Sequence, residues 1–459
     1  MTLTACATLF AALLAVLAGQ GIDIERFPPP DFEGGHTLPH TTAPSARGVA
    51  WEFVDAGLLA AALGLASYFA LRQRRRGPIF ALMVFSLLYF GFWREGCVCP
   101  IGAIQNVTLA FFDQGYAVPA LVVVFFLLPL IFTLFFGRAF CAAVCPLGAI
   151  QDLVLVHPLT LPAWLRHGLG LLAYVYLGAA VLFAATGSAF IICEYDPFVA
   201  FFRLSGSIDM VVLGTSFLVI GLFVGRPYCR FVCPYGALLR LISRFSWRRV
   251  RVTPTDCVQC RLCEEACAFG AIEPALTDRP PTSMKKHKAR LAILLVLLAV
   301  NTGLGGWLLA SLAGPLSRMH STVRLAERVA FEDAERIAFE DAERAAFEDA
   351  ERAARENASS TVGTTDASDA FRGTGRPAAE LYADAGAIVD DYTLGGWIVG
   401  AFLGLLFSCK LISLSVFRKR RDYEADQSLC VSCGRCFAVC PLEQERRKGR
   451  SPLPVAIKG

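Results

Sequence analysis

Residues 137–148 read "GRAFCAAVCPLG" and residues 225–236 read "GRPYCRFVCPYG". A third version, "GFWREGCVCPIG", occupies 91–102. Each stands directly after a long apolar run, so a cysteine pair closed by proline falls where one helix ends and the next begins. Pro146 and Pro234 suit the first turn of a new helix, where a missing N–H costs nothing. The helices that start there ("PLGAIQDLV", "PYGALLRLI") point their positive dipole ends at the cysteines, which favours thiolates and an anionic cluster. Gly148 and Gly236 allow close approach of backbone. Arg138 and Arg226, three residues before the first cysteine of each pair, add positive charge.

Working outward, the 459 residues are 55 % hydrophobic and only 18 % charged, the balance of a polytopic membrane protein. A span needs roughly 20 apolar residues. Runs near 4–20, 54–71, 79–93, 117–136, 169–192, 208–224, 289–312 and 394–416 supply about eight. The first reads as an anchor rather than a cleaved signal. Four basic clusters orient the chain: "RQRRR" (72–76), "SWRRVRV" (246–252), "KKHKAR" (285–290) and "RKRR" (418–421). With both termini cytoplasmic, all four lie inside.

Twelve of the 17 cysteines lie in tight Cys-x2-Cys or Cys-x3-Cys groups on that reducing side, where iron–sulfur or metal ligation is expected rather than disulfides. "CVQCRLCEEAC" supplies Cys257, Cys260, Cys263 and Cys267; "CVSCGRCFAVCP" supplies Cys430, Cys433, Cys436 and Cys440. Both match the Cys-x2-Cys-x2-Cys-x3-Cys run in which three thiolates hold one [4Fe–4S] cube and the fourth reaches the neighbouring cube. Crossed ligation would join Cys440 to Cys257, Cys260 and Cys263, and Cys267 to Cys430, Cys433 and Cys436. Local ligation by each run is the alternative. Structural zinc prefers paired Cys-x2-Cys knuckles set further apart, so iron–sulfur is the preferred reading. Ala268 stands where proline is usual in the first run.

The fourth and sixth spans deliver Cys141, Cys145, Cys229 and Cys233 to one face, enough for a third cluster at the inner membrane edge. Cys97, Cys99 and Cys193 mark the outer ends of the third and fifth spans, so two hairpins repeat about an axis along the membrane normal. A further redox-metal site there needs a non-cysteine ligand, Asp196 or Glu194. A disulfide from Cys193 to Cys97 or Cys99, or simple packing, competes with it. The short third span suggests that "REGCVCP" folds back among its neighbours. Otherwise about 30 Å of hydrocarbon parts the two thiol groups.

Residues 326–357 repeat with period eight ("AERVAFED", "AERIAFED", "AERAAFED", "AERAAREN"). At 100° per residue the phenylalanines drift about 80° per repeat, which excludes a heptad seam. A solvated helical spacer is expected there, with a flexible stretch at 357–375. His36 and His40 are a weak metal signal, and Cys6 and Cys409 read as packing.

The Cys-x3-Cys-Pro pairs together with the ferredoxin runs resemble the NosR/NapH-type membrane polyferredoxins, 4Fe–4S binding proteins of the bacterial inner membrane. The resemblance covers about 80–275 and 427–445. It implies electron transfer between a quinol or cytoplasmic donor and an extracytoplasmic acceptor. It also implies cluster ligation by the twelve cysteines at 141, 145, 229, 233, 257–267 and 430–440. Two departures stand out. The outer segment 21–53 is too short for the flavin domain that NosR proteins carry, and the two ferredoxin runs are split by two spans.

The expected architecture is an all-α polytopic membrane protein with an internal hairpin repeat and a small α+β, two-cluster ferredoxin-like part built from two segments. Its divisions are 1–53 (anchor and outer segment), 54–250 (core membrane domain), 251–284 (first ferredoxin segment), 285–320 (seventh span), 321–392 (outer helical repeat and flexible linker), 393–421 (eighth span) and 422–459 (second ferredoxin segment). The expected role is an electron-transfer subunit of a redox complex, not a stand-alone enzyme. Lipid, a quinone, and a flavoprotein or reductase subunit are the candidate partners, and no nucleic acid. An iron–sulfur sensor or a maturation factor for an extracytoplasmic reductase is the alternative.

Overall fold

The computed structural model describes residues 48–96, 99–159, 161–205, 207–248, 250–253, 257–276, 284–349, 364–416, 420 and 422–448, the side chains of 49, 284–287 and 340–349 aside. The expected first span, Cys6, Cys97 and the two N-terminal histidines lie outside these residues. Five helices are long and apolar enough to cross a membrane: Ala50–Gln73, Arg76–Trp93, Ala163–Ala185, Lys288–Ser311 and Ala378–Ser415. Three shorter apolar helices accompany them, Pro100–Phe112, Ala120–Phe136 and Ile208–Gly221. The chain divides into two units, one of residues 1–177, 192–280 and 417–459, the other of 178–191 and 281–416.

In the first unit, α1 (Val49–Tyr68) and α2 (Arg76–Ser86) each run on into a π-helical turn, and Arg74 in the left-handed region (φ 52°) breaks the chain between them. Asp55 on α1 is fully buried. It pairs with Arg94 at 2.7 Å and accepts from the Tyr89 hydroxyl at 2.8 Å, tying the far end of α2 back to α1. After a turn at 94–96 the chain re-enters as α3 (Pro100–Phe112), then α4 (Ala120–Phe136), which ends at Gly137 (φ 74°). Short helices follow: α5 (Ala139–Ala143) and α6 (Pro146–Leu153). The long α7 (Ala163–Ala185) comes next, then α8 (Ile191–Glu194), α9 (Val199–Arg203) and α10 (Ile208–Gly221). Two more short helices, α11 (Pro227–Phe231) and α12 (Pro234–Ser243), complete the helical core.

The ferredoxin-like part adds α13 (Leu262–Glu265) and β1 (Ile272–Glu273) from its first segment. The segment is resumed after the second unit with β2 (Glu424–Ala425), α19 (Arg435–Val439) and α20 (Pro441–Arg447). β1 and β2 pair antiparallel, Ile272 opposite Ala425 and Glu273 opposite Glu424. The two separated segments therefore form one α+β body.

The second unit contains α14 (Met284–Ser311), α15 (Ala313–Ser317), α16 (Ser321–Asp349), α17 (Asp366–Gly373) and α18 (Ala378–Ser415). The period-eight segment is helical, as its composition dictates, but its first turns are not a free spacer. Val323, Ala326 and Val329 bury against Phe371, Leu381 and Ala385. The stretch expected to be flexible is ordered from Asp366 to Gly373, where Thr365 and Ser368 form a reciprocal cap. Glu332, 1 % exposed, gathers Arg328 (2.8 Å), the Ser368 hydroxyl (2.9 Å) and Arg372 (2.7 Å). Phe331 and Phe339 point outward, consistent with the drift of an eight-residue repeat.

α14 and α18 pack along a seam of small residues: Gly396, Gly400, Gly404 and Ser408 at four-residue spacing on α18 against Asn301, Gly305 and Gly306 on α14. A Cβ at Gly400 would collide with the Gly305 carbonyl, and one at Gly404 with that of Asn301. Asn301 Nδ2 donates to Ser408 Oγ at 3.1 Å. Small residues spaced by four and an interhelical polar bond are the means by which helices associate in lipid, where no hydrophobic force drives them together.

Gly400→Leu should therefore lower the thermal stability of the detergent-solubilised protein by an overpacking cost of about 1–3 kcal/mol. Gly386→Ala, on an open face of the same helix, should not. In the Glu332 cluster, burial raises the Glu332 carboxyl, but Ser368, Arg372 and Arg328 outweigh it and hold the group below the ordinary carboxylate range. The stability it contributes is present above the unfolded-state value of about 4.3 and is lost as pH falls through the lower folded value. Hydrogen-exchange protection of α17 should fall in that acid window, and Glu332→Gln should remove the pH dependence while costing about 2 kcal/mol at neutral pH.

Candidate functional site

Three helices begin on a Cys-Pro-x-Gly turn, and a fourth, α20, on Cys440-Pro441 without the glycine. α3, α6 and α12 start at Pro100, Pro146 and Pro234, each capped by the preceding Cys99, Cys145 or Cys233. Proline at the first position leaves the amide of the glycine two residues on free to turn toward the sulfur. Gly236 N–H donates to Cys233 Sγ at 3.3 Å, and Gly102 and Gly148 hold the corresponding place after Cys99 and Cys145. The helix dipole adds its positive end at each start.

The four inner thiols come together. Cys145 and Cys229 are in hydrogen-bond contact, and Cys233 is within electrostatic range of Cys145 and Cys141. Gln151 Nε2 donates to Cys229 Sγ at 3.2 Å, while its Oε1 accepts from Tyr228 N–H at 3.0 Å. The two flanking arginines differ in role. Arg138 reaches Cys141 Sγ at 3.6 Å and the Ser428 carbonyl at 3.0 Å. Arg226, in the left-handed region (φ 50°), is buried and holds the carbonyls of Cys141 and Ala142 and the carboxylate of Asp152, at 3.5 Å from the last.

The ferredoxin cysteines surround two cavities. Cys257, Cys260, Cys263 and Cys440 line one, walled by Val252, Tyr423 and Leu442. Cys267, Cys430, Cys433 and Cys436 line the other, beside Phe269, Ala271 and Val431. Each set is three thiols from one run and the fourth from the other, the donor set of a two-cluster ferredoxin. Among the described residues no three His, Cys, Asp or Glu side chains converge as a single ion would need. The thiols of each set line a shared space. Burial, with Cys257 and Cys260 adding, pushes the Cys263 thiol up to about 11, and burial carries Cys430 up to about 12. These protons must leave when iron binds. Gly225 packs on Ala268 so closely that a Cβ on the glycine would stand 3.0 Å from the alanine Cβ. A small residue is thus accommodated where proline is usual.

The second cavity adjoins the membrane-edge thiols. Phe269, Ala271 and Val431 form one apolar cluster, with Cys141, Cys267, Cys430 and Cys433 packed against it. Asp152 bridges the same boundary, paired with Arg226 and, at 3.1 Å, with Arg435 of α19. Arg74, read from the sequence only as part of a topogenic cluster, pairs with the buried Glu443 at 2.8 Å and lies over the Phe437 ring at 4.4 Å. Sequence reasoning also passed over Gln105, Gln151, Asp152 and Arg435. A signal for the glutamines was present, since "CPIGAIQ" and "CPLGAIQ" place one six residues after the capping cysteine in both copies.

Of the outer cysteines, Cys97 lies outside the described residues. Cys193 Sγ stands 3.3 Å from the position a Cβ would take on Gly102. Cys99 is within electrostatic range of Cys145 and Cys233.

A family model described as "4Fe-4S binding domain" matches residues 118–171 and 208–253, one Cys-x3-Cys-Pro pair in each. The chain is similar to protein NirI of Paracoccus denitrificans, 35 % identical over 126 residues, which are 26 % of this chain and 18 % of NirI. It is 34 % identical over 67 residues to the putative electron transport protein YccM of Escherichia coli, 15 % of this chain and 18 % of YccM. It is 35 % identical over 68 residues to the regulatory protein NosR of Pseudomonas aeruginosa, 14 % of this chain and 9 % of NosR. The matched stretches span less than a fifth of the length of these three relatives. No solved structure matches. The two domain matches fall on the repeated cysteine pairs, and over these stretches the chain is similar to membrane 4Fe–4S electron-transport proteins of the NosR/NapH type.

Proposed function

We propose that this chain relays electrons across the bacterial cytoplasmic membrane through a line of iron–sulfur clusters. The observation that carries the reading is the shared apolar cluster in which Cys141 packs with Cys267, Cys430 and Cys433 around Phe269. A ferredoxin cavity and a membrane-edge thiol group that adjoin through buried side chains suit short-range transfer between them.

In this reading Cys257, Cys260, Cys263 and Cys440 hold one [4Fe–4S] cluster and Cys430, Cys433, Cys436 and Cys267 a second. The exchange of Cys267 and Cys440 between the cavities favours crossed over local ligation. Cys141, Cys145, Cys229 and Cys233 hold a third. When bound, the clusters supply one-electron chemistry at potentials that hydrogen bonds to sulfur and solvent exposure set. The protein's own groups do the rest. Gln151, Arg138 and the Gly236 amide donate to the sulfurs, Arg226 fixes the Cys141 turn, and Asp152 holds Arg226 and Arg435 together across the boundary. Quinol or a cytoplasmic donor at one end and an extracytoplasmic reductase or flavoprotein at the other complete the path, with both termini and the ferredoxin part in the cytoplasm and about eight spans in lipid. One relative is named a regulatory protein, which favours a second reading as a redox sensor or accessory factor. A sensor would bind the same clusters without sustained turnover.

Protein purified without oxygen should carry at least about 12 Fe per chain if all three sites fill with [4Fe–4S] clusters. Cys141→Ser/Cys229→Ser should lose about 4 of them. Zinc in their place would defeat the proposal. Asp152→Asn should leave the iron content and cluster spectra unchanged but slow electron passage from reduced ferredoxin sites to an added acceptor by about tenfold, the scale of lost support around a metal site. Stopped-flow absorbance of the wild type and variant would measure it. Cluster reduction without any onward transfer in the wild type would favour the sensor.

A further inference from the structure

Cys99 and Cys193 stand in a second copy of the inner thiol site. Gln105 and Gln151 hold the same place, six residues after their capping cysteines. Gln151 Oε1 accepts from Tyr228 N–H at 3.0 Å, one residue before Cys229; Gln105 Oε1 accepts from Ile192 N–H at 3.0 Å, one residue before Cys193. In the inner site the other end of the amide meets a sulfur, with Gln151 Nε2 donating to Cys229 Sγ. In the outer copy Gln105 is fully buried and its Nε2 has no hydrogen-bond partner among the described residues. A buried amide donor left unmet is rare and calls for an acceptor.

The sulfurs converge on one turn. Cys99 caps the helix whose first turn holds Gly102, and Cys193 Sγ sits against that glycine, 3.3 Å from where its Cβ would stand. Where the inner copy has Cys233-Pro234, the outer has Asp196-Pro197, the carboxylate one residue nearer its cysteine. Asp196 is 5 % exposed, accepts from Phe198 N–H at 2.9 Å and lies within electrostatic range of both Cys99 and Cys193. Tyr228, whose ring packs on Phe198, has a buried hydroxyl in range of the same carboxylate, also without a partner among the described residues.

We propose that Cys99, Cys193 and Asp196 hold an additional iron–sulfur cluster with mixed thiolate and carboxylate ligands, Gln105 donating to its sulfur shell. Its purpose rests on the relay reading above, since Cys99 lies in range of Cys145 and would extend the line beyond the inner site. Its chemistry does not. A carboxylate in place of a thiolate gives such a cluster a spectrum distinct from the all-cysteine ones.

The test compares full-length wild type, Cys193→Ser and Asp196→Cys, all purified without oxygen, by iron and sulfide content and by electron paramagnetic resonance during stepwise reduction. Wild type should exceed the iron of the three cysteine-only sites. Cys193→Ser should lose that excess alone, and Asp196→Cys should keep it while shifting one signal and no other. Should Cys193→Ser fail to fold, the Asp196→Cys spectrum decides. Iron content and spectra the same in all three would overturn the proposal, as would peptide mass spectrometry finding Cys193 joined to Cys97 or Cys99 in protein alkylated without reductant. Those outcomes leave the relay standing. Wild type devoid of iron would remove both readings.

Discussion

Everything at the centre of this protein depends on how a sulfur is held where water cannot solvate it. A cysteine at the cap of a helix and a proline at its first position solve this locally. The first-turn amide of a glycine turns to the sulfur, and the aligned peptide dipoles behind it favour negative charge. The Cys-Pro start recurs at Cys99, Cys145, Cys233 and Cys440 and marks where α3, α6, α12 and α20 begin, with the glycine amide on the sulfur at Cys233. The buried glutamines and arginines follow from it. Donors cluster around the sulfurs because charge in a low-dielectric interior has to be met from several sides.

The ferredoxin-like part shows a different dependence, on chain return. Its two segments are joined by two short strands, by apolar contacts around Phe269 and Tyr423, and through Arg74, which donates to the Arg251 and Val252 carbonyls and pairs with Glu443. Between them the chain builds a second unit whose long helices, α14 and α18, interlock through glycine. Both halves thus reach the same body although a membrane-scale excursion separates them in sequence.

Much of this was legible in the residues. Cysteine spacing marked both ferredoxin runs, and the repeated Cys-Pro pairs marked the helix starts, because ligand chemistry demands particular residues at fixed intervals. The pairing of Gly396, Gly400 and Gly404 with Ala310, Gly305 and Asn301 was harder to read. Four-residue glycine spacing is visible, but its meaning depends on a partner helix that pattern alone does not identify. Asp152 with Arg435, and Asp55 with Arg94, escaped for the same reason: an ion pair between distant segments leaves no periodic trace. The period-eight segment misled in part. Its repeat excludes a coiled coil, yet its first turns are buried by Phe371, on a short helix whose capping residues lay in a stretch that reads as linker.

The exchange of one cysteine between the two cavities has a consequence for synthesis. Cys257, Cys260 and Cys263 are made early, but their cavity lacks its fourth thiol until Cys440, near the end of the described chain, has been translated and brought back. Neither half is a finished container by itself. Under the crossed ligation proposed above, filling this cavity would have to wait until the second ferredoxin-like segment had been made and had folded back onto the first.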